Sequence, residues 1–319
     1  MDNQILTEAQ IKRYAEVWPL AGNVSQAIYT ATRSVISPAV EAADLAHPGL
    51  FYLLLTAQTF EPEPISAEII GRRNPYTALQ IWDQRLAALV DRQLLARDGA
   101  QAYRLTEAGR AILRRITEMF YTELGKIEPA LHTSISADGI NTLAWYLGRI
   151  VKMALDAPID TSSIRHTHSA APGVDAPALA HIDQALDDLN AFRDDAHMAA
   201  WRPHDISGQA WELFTCLWRG EVQNADEMAE KGAQRGHSLE AYRAALNDLI
   251  QRGWIEPSGE NHYQATGPGG QLRQEAESVT ERNFFAAWAI LNEEEANDLR
   301  DLLTRLEISL KPMTEAVPA

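Results

Sequence analysis

The stretch Asn74-Pro75-Tyr76-Thr77-Ala78-Leu79-Gln80-Ile81-Trp82-Asp83-Gln84-Arg85-Leu86-Ala87-Ala88-Leu89-Val90 decides the fold. Asn74 is a good N-cap. Pro75 falls at the first helical position, where a missing amide hydrogen costs nothing and a fixed φ suits the helix. Leu79, Trp82, Leu86, Leu89 and Val90 recur at three- and four-residue spacing and form one apolar face, while Thr77, Gln80, Gln84 and Ala88 form the other. Beyond the helix, Leu94-Leu95-Ala96-Arg97 and Tyr103-Arg104-Leu105 are short strand candidates joined by Asp98-Gly99, a hairpin signal. Upstream, Ser66 caps a short helix through Ile70, with Gly71 past its end, so residues 66–93 read as a helix-turn-helix and 94–105 as its wing.

The pattern recurs downstream at an offset of 160. Leu79, Trp82, Leu86, Leu89, Leu95, Tyr103 and Thr106 map onto Leu239, Tyr242, Leu246, Leu249, Ile255, Tyr263 and Thr266, and Phe51 and Leu54 onto Trp211 and Phe214. So many matches in one register point to two diverged copies of a domain of roughly 140 residues, a common size for single domains. Their late helices start alike, at Ser136-Ala137-Asp138 and at Asn292-Glu293-Glu294. The expected organisation is repeat one over 1–156, a Pro-, Ser-, Ala- and Gly-rich linker over 157–177, and repeat two over 178–319, with its helix-turn-helix at 225–251 and wing at 254–265.

A Pro-led recognition-like helix, a wing, Leu105-Thr106-Glu107-Ala108-Gly109-Arg110 leading into a long helix, and a Ser-Ala-Asp start to a final helix together resemble the MarR family of winged-helix regulators. The resemblance implies a mainly α fold with small two-stranded wings, a ligand-responsive transcriptional regulator, and a pseudo-dimer of both halves on one chain, packed through N- and C-terminal helices. The second copy departs from the pattern, with Ala265-Thr266-Gly267-Pro268-Gly269-Gly270 in place of residues 105–110.

Outside the heads, residues 4–22, with Thr7 as cap, about 24–36 and about 39–46 read as three successive helices, the last ending before His47-Pro48. Helices are also expected from Ala111 to about 131, 137–155, 271–291 and 293–310, with a frayed end from Pro312. On the first helix of repeat two, Ile182, Ala185, Leu186, Leu189 and Phe192 share one side, and Asp187, Asp188, Asp194 and Asp195 are expected to face solvent.

At 319 residues and 46% apolar content, the chain can fill two cores. No leader-like start follows Met1 and no window is apolar enough to span a bilayer, so a cytoplasmic monomer whose repeats pack intramolecularly, away from membranes, is expected. Cys216, the one cysteine, sits in an apolar helical context and reads as a core residue. The net charge of −16 and pI near 5.0 oppose non-specific attraction to phosphate. Its distribution is uneven. Residues 61–115 hold nine Arg against seven acids, while 221–275 hold five bases against nine acids, which makes the first head the main DNA-reading candidate.

Arg72, Arg73, Tyr76, Thr77, Gln80 and Gln84 are residue types that reach phosphates and base edges from a major-groove helix. Arg97 and Arg104 can add phosphate contacts from the first wing, and Arg235 and Arg243 from the second head, where Glu240, Glu256 and Glu260 oppose a groove-inserted pose. Equally, a polar helix face beside two arginines can simply be solvated. The alternative function is a winged-helix interaction or ligand-sensing module that has lost DNA. Trp18, Trp145, Trp211 and Trp218 are the pocket candidates for an aromatic or lipophilic effector, and the same indoles also suit core packing. His166 and His168 lack the Cys or paired acids of a metal site. Gly267-Pro268-Gly269-Gly270 lacks the strand and the Lys-Ser/Thr ending of a phosphate loop. No nucleophile context is recognisable, so neither catalysis, metal nor cofactor is expected.

Overall fold

The computed structural model describes residues 6–47 and 49–315; the expected helix start at residue 4, Pro48 and the extreme C-terminus lie outside the described residues, and of residues 312–315 only the backbone is described. The protein is mainly α-helical, with two small two-stranded wings.

One continuous helix, α1 (Glu8–Ala42), replaces the three expected at the start. Thr7 and Gln10 close a capping box at its N-terminus, and it runs through Pro19 and Pro38. Each proline removes a single ladder bond. The buried stripe Tyr14, Val17, Ala21, Val24 and Ile28 continues across Pro19 without a break, so packing outweighs the local penalty there.

The first head follows as α2 (Leu50–Thr59), α3 (Ala67–Arg73), α4 (Leu79–Asp91), β1 (Leu95–Arg97) and β2 (Tyr103–Leu105). Ser66 caps α3 by accepting from the Ile69 amide. That helix continues to Arg73, past Gly71, which the sequence placed beyond its end; the Leu79 side chain lies where a Cβ on Gly71 would sit, so the glycine serves close packing and not helix termination. Leu95 pairs with Leu105 and Arg97 with Tyr103. Gly99 takes a φ of +88° at the tip, the left-handed region that glycine enters freely. Trp82, Leu86 and Leu89 of α4 close the head's core against Leu50, Leu53 and Leu54 of α2.

Then come α5 (Glu107–Leu131), α6 (Ala137–Leu155), α7 (Ser162–His168) and α8 (Ala178–Trp201). The second head is α9 (Gly208–Trp218), α10 (Ala225–Lys231), α11 (Leu239–Gln251), β3 (Ile255–Gly259) and β4 (His262–Ala265), and α12 (Gly267–Ala286) and α13 (Glu293–Glu315) complete the chain. Its element order repeats that of the first head. The departure at residues 265–270 leaves the junction unchanged. Thr106 and Thr266 cap α5 and α12 alike, and each hydroxyl also donates to a carbonyl before the first strand, Gln93 O and Gly253 O, both at 2.7 Å. Gly109 and Gly269 take equivalent places. A Cβ there would lie 2.4 Å from Leu94 O or 2.1 Å from Trp254 O, so only glycine lets the helix come this close to its strand.

The remaining long helices, α1, α5, α6, α8, α12 and α13, form a helical base with one continuous core. Tyr14, Trp18, Phe284, Phe285 and Trp288 form an aromatic cluster in it, joining the chain's first helix to its penultimate one.

The connection over 157–177, expected to be irregular, contains α7, which docks on α8. Asp195 accepts from the amides of Ser163 and Ile164 at 3.0 Å each, and His168 Nδ1 meets Asp188 at 2.6 Å. Asp188 and Asp195 are therefore buried at 1% and 2% exposure, where the sequence placed them in solvent. Burial raises both carboxyl pKa values, and the hydrogen bonds oppose that rise. His166 stacks on Phe60 of the first head at 3.7 Å. Among the described residues no group of side chains could hold a metal ion, and no helix is long and apolar enough to cross a membrane.

Candidate ligand cavities and nucleic-acid interface

The recognition helices of the two heads meet at their N-terminal ends. Asn74 is the C-cap of α3, not the N-cap of α4, and α4 begins at Leu79 with Ala78 as its cap residue. Residues 74–78 form a strap against the second head. The Ala78 amide donates to Arg235 O at 2.8 Å, Gln80 Nε2 donates to Gly236 O at 2.8 Å, and His237 Nε2 lies 3.0 Å from Tyr76 O. Arg235 Nη1 donates to the Thr77 hydroxyl at 3.4 Å. Helix propensity placed the start at Pro75; tertiary hydrogen bonds across the heads move it four residues on.

This clasp determines where the expected DNA-reading residues stand. Thr77 is buried. Tyr76 packs against the core of the second head, 6.2 Å from the Trp201 ring with Arg235 on its face, and burial pushes its phenol pKa up. Arg72 and Arg73 belong to the last turn of α3; the Arg72 carbonyl accepts from Arg202, and Arg73 donates to the Thr167 hydroxyl at 2.8 Å. Gln80 and Gln84 remain exposed on α4. Arg97 lies over the Tyr103 ring, Arg104 pairs with Asp98 at 2.5 Å, and Arg243 pairs with Asp226 at 3.1 Å.

Two cavities lie where the heads meet the base. The first, of about 710 Å³, is lined by Tyr29, Ile36, Phe51, Leu55, Ile116, Phe120 and Tyr121, with Arg33, Asp183 and Asp187 as its charged groups. Asp183 and Asp187 are one helical turn apart on α8. Enclosure by protein raises both carboxyl pKa values; the Asp187 carboxylate adds to the rise at Asp183 and the Asp188 carboxylate to that at Asp187, which Arg73 opposes. Asp187 still touches solvent within the cleft.

The second cavity, of about 670 Å³, is lined by Trp18, Tyr52, Tyr76 and Trp211 together with Arg73, Arg193, Arg219, Arg235 and Arg273, and by Asp194, Glu212 and Glu277. His197 in its wall has its pKa pushed down to about 4, first by burial and then by nearby arginines. Asp194 is raised to about 6 by burial.

The lining positions of the two cavities correspond. Tyr29, Thr32, Arg33, Ile36 and Ser37 of α1 match Asn190, Arg193, Asp194, His197 and Met198 of α8 at an offset of 161. Phe51, Leu55, Thr117 and Phe120 match Trp211, Thr215, Glu277 and Thr280 at 160. Of the indoles picked from sequence, Trp18 and Trp211 face the second cavity. Trp145 is 55% exposed on α6, outside both large cavities, and Trp218 packs under Arg273. The sequence reading missed Arg193, Arg219 and Arg273. The available signal was the offset itself, which sets Arg273 against Leu113, a core residue of repeat one.

A helix-turn-helix with a two-stranded wing, present twice on a helical base, defines a winged-helix regulatory protein. Residues 126–312 match a helix-turn-helix family, and the chain belongs to that family. The match spans the second head and the later part of the base. Membership brings a DNA-binding, regulatory role in general and excludes an enzyme. Neither a curated protein nor a solved structure matches the chain.

Proposed function

We propose that the protein is a MarR-like transcriptional regulator in tandem form, two diverged winged-helix repeats packed as a pseudo-dimer within one monomeric chain, that reads duplex DNA mainly through repeat one and responds to a small-molecule effector. The correspondence of the two cavities, position by position at offsets of 160 and 161, carries this reading, because it repeats within the base the register found in the heads. The effector is aromatic or lipophilic and occupies the first cavity, whose walls are mostly aromatic and aliphatic; Asp183 and Asp187 form its polar end. In the DNA-bound form Arg72, Arg73, Tyr76, Thr77 and Gln80 contact base edges and phosphates, with Gln84, Arg97 and Arg104 beside them. Arg235 and Arg243 touch only backbone.

That form requires the clasp to open, because Tyr76, Thr77 and Arg73 are engaged by the second head or the base. The same engagement favours the second reading, a winged-helix sensing module without DNA. Selection of bound sequences from random duplex DNA, with and without a clasp-weakening substitution, separates the two. Enrichment of one motif with salt-sensitive affinity supports the regulator. No enrichment in either form, with the protein folded, leaves the sensing module.

A further inference from the structure

We infer that the second cavity is an anion site, built for a small molecule carrying a carboxylate or phosphate group, and that the bound anion holds the two heads in their clasped arrangement. Five arginines line this cavity in a chain of net charge −16. Three are committed: Arg235 pairs with Glu212 at 2.9 Å and Arg273 with Glu277 at 2.5 Å within the cavity, and Arg219 with Glu221 at 3.7 Å outside it. Arg73 hydrogen-bonds only the Thr167 hydroxyl, and neither it nor Arg193 has a carboxylate within ion-pair distance among the described residues, although both lie near enough to Asp194 to oppose the rise of its pKa. Arg273 is 1% exposed, held between the Trp211 and Trp218 rings and bonded to the Thr215 hydroxyl, yet its Nη1 is buried without a partner; so is Nη1 of Arg193.

Buried guanidinium N–H groups without acceptors are costly, and a planar fork of donors matches carboxylate and phosphate oxygens in particular. Repeat one is the internal control. There the counterpart of Arg273 is Leu113, fully buried in the core of the first head, and the counterpart of Arg193 is Thr32, in the wall of the first cavity. The fold therefore closes this place without a charge, and the arginines of the second cavity answer to something other than packing. Arg73 comes from the first head, whereas Arg193 and Arg273 come from the base, so an anion held by all three ties the first head to the base, in addition to the strap's hydrogen bonds to the second head.

The binding can be measured without DNA and thus independently of the regulator reading. Pyrophosphate and citrate serve as the phosphate and carboxylate probes, titrated calorimetrically into the full chain, with hydrogen exchange at the Ala78 amide as the second readout. Saturable binding of at least one probe and slower Ala78 exchange are expected. Arg193→Gln and Arg73→Gln should each weaken binding by about tenfold or more, the loss expected for a charged hydrogen-bond pair. Arg273→Leu installs the residue that repeat one carries at this position and should abolish binding in a folded protein; should that variant fail to fold, the two glutamine variants decide. No saturation with either probe up to about 10 mM, weaker than any useful site, overturns the proposal. So does binding that both glutamine variants leave unchanged, or binding with no effect on Ala78 exchange.

Discussion

Gly208→Ala tests whether the clasp is a closed state in equilibrium with an open one. Gly208 is the first residue of α9, and a Cβ there would lie 2.3 Å from Pro75 O, 2.6 Å from Pro75 C and 2.8 Å from Pro75 Cβ. Two of these three atoms are backbone, so no side chain can swing aside, and the strap must retreat by about 1 Å to restore an ordinary carbon to oxygen separation. Overpacking of this kind costs about 1–3 kcal/mol. In an open state the same alanine favours α9, by up to about 1 kcal/mol. Opposing this, the four cross-head hydrogen bonds are worth about 0.5–1.5 kcal/mol each, or roughly 2–6 kcal/mol together. The substitution should thus shift the closed-to-open ratio by roughly ten- to a thousandfold without unfolding either head. Native-state hydrogen exchange at the Ala78 amide, which donates across the clasp, should accelerate accordingly, and affinity for selected DNA should rise. Gly148→Ala is the control, since a Cβ at that exposed position in α6 meets nothing within 4 Å; it should leave Ala78 exchange unchanged. If Ala78 exchange does not change in Gly208→Ala while the protein stays folded, the clasp is not where the two heads part.

Three further outcomes are expected. Arg73→Ala should weaken DNA binding across sequences and flatten the salt slope by about one unit, read by titration at two salt concentrations. Gln80→Ala should relax base preference at one position by about 1–3 kcal/mol while Glu240→Gln leaves affinity equal or higher, and loss of binding in Glu240→Gln would mean that the two heads have been assigned the wrong way round. Asp183 has its carboxyl pKa raised by burial from 3.8 to about 8, so the folded chain holds a proton that the unfolded chain has released. Its contribution to stability is fully present below about pH 4 and lost as pH rises through about 8. Thermal unfolding of the wild type relative to Asp183→Asn should therefore worsen across that window, and a constant difference would refute the assignment.

Much of the fold follows from local signals that act within a few residues. The caps Thr7, Ser66, Ser136, Ser238 and Thr266 stand where their side chains accept from the first turn. Trp82, Leu86 and Leu89 of α4 and Tyr242, Leu246 and Leu249 of α11 bury as their spacing requires, whereas Leu79, expected on the same face, stays 47% exposed. What sequence did not disclose depends on partners far along the chain. Asn74-Pro75 carries a strong start signal, but residues 74–78 bond to a segment some 160 positions away, and that contact sets the helix boundary. Asp188 and Asp195 read as solvent-facing because nothing local shows that α7 folds back onto α8. The arginines of the second cavity are spread over α3, α8, α9, α12 and the approach to α11, and no single stretch looks basic.

The clasp also sets a geometric condition on DNA binding. Two recognition helices entering successive major grooves on one face of a duplex lie about 34 Å apart. Here the residue before α4 and the segment before α11 share hydrogen bonds of 2.8 Å, with Ile81 packed where a Cβ on Gly236 would sit. In this arrangement the two cannot occupy successive grooves. Engagement by one head from the clasped state leaves the exposed Gln80 and Gln84 on the outer face of α4, with Arg72 and the wing residues Arg97 and Arg104, while the buried Thr77 and the docked Tyr76 stay out of reach. Full use of the first head therefore requires the strap to leave the second. Because Arg73 and Tyr76 line the second cavity, the same movement dismantles its wall. By linkage, a ligand bound by that wall must then disfavour DNA by the same factor that DNA disfavours the ligand.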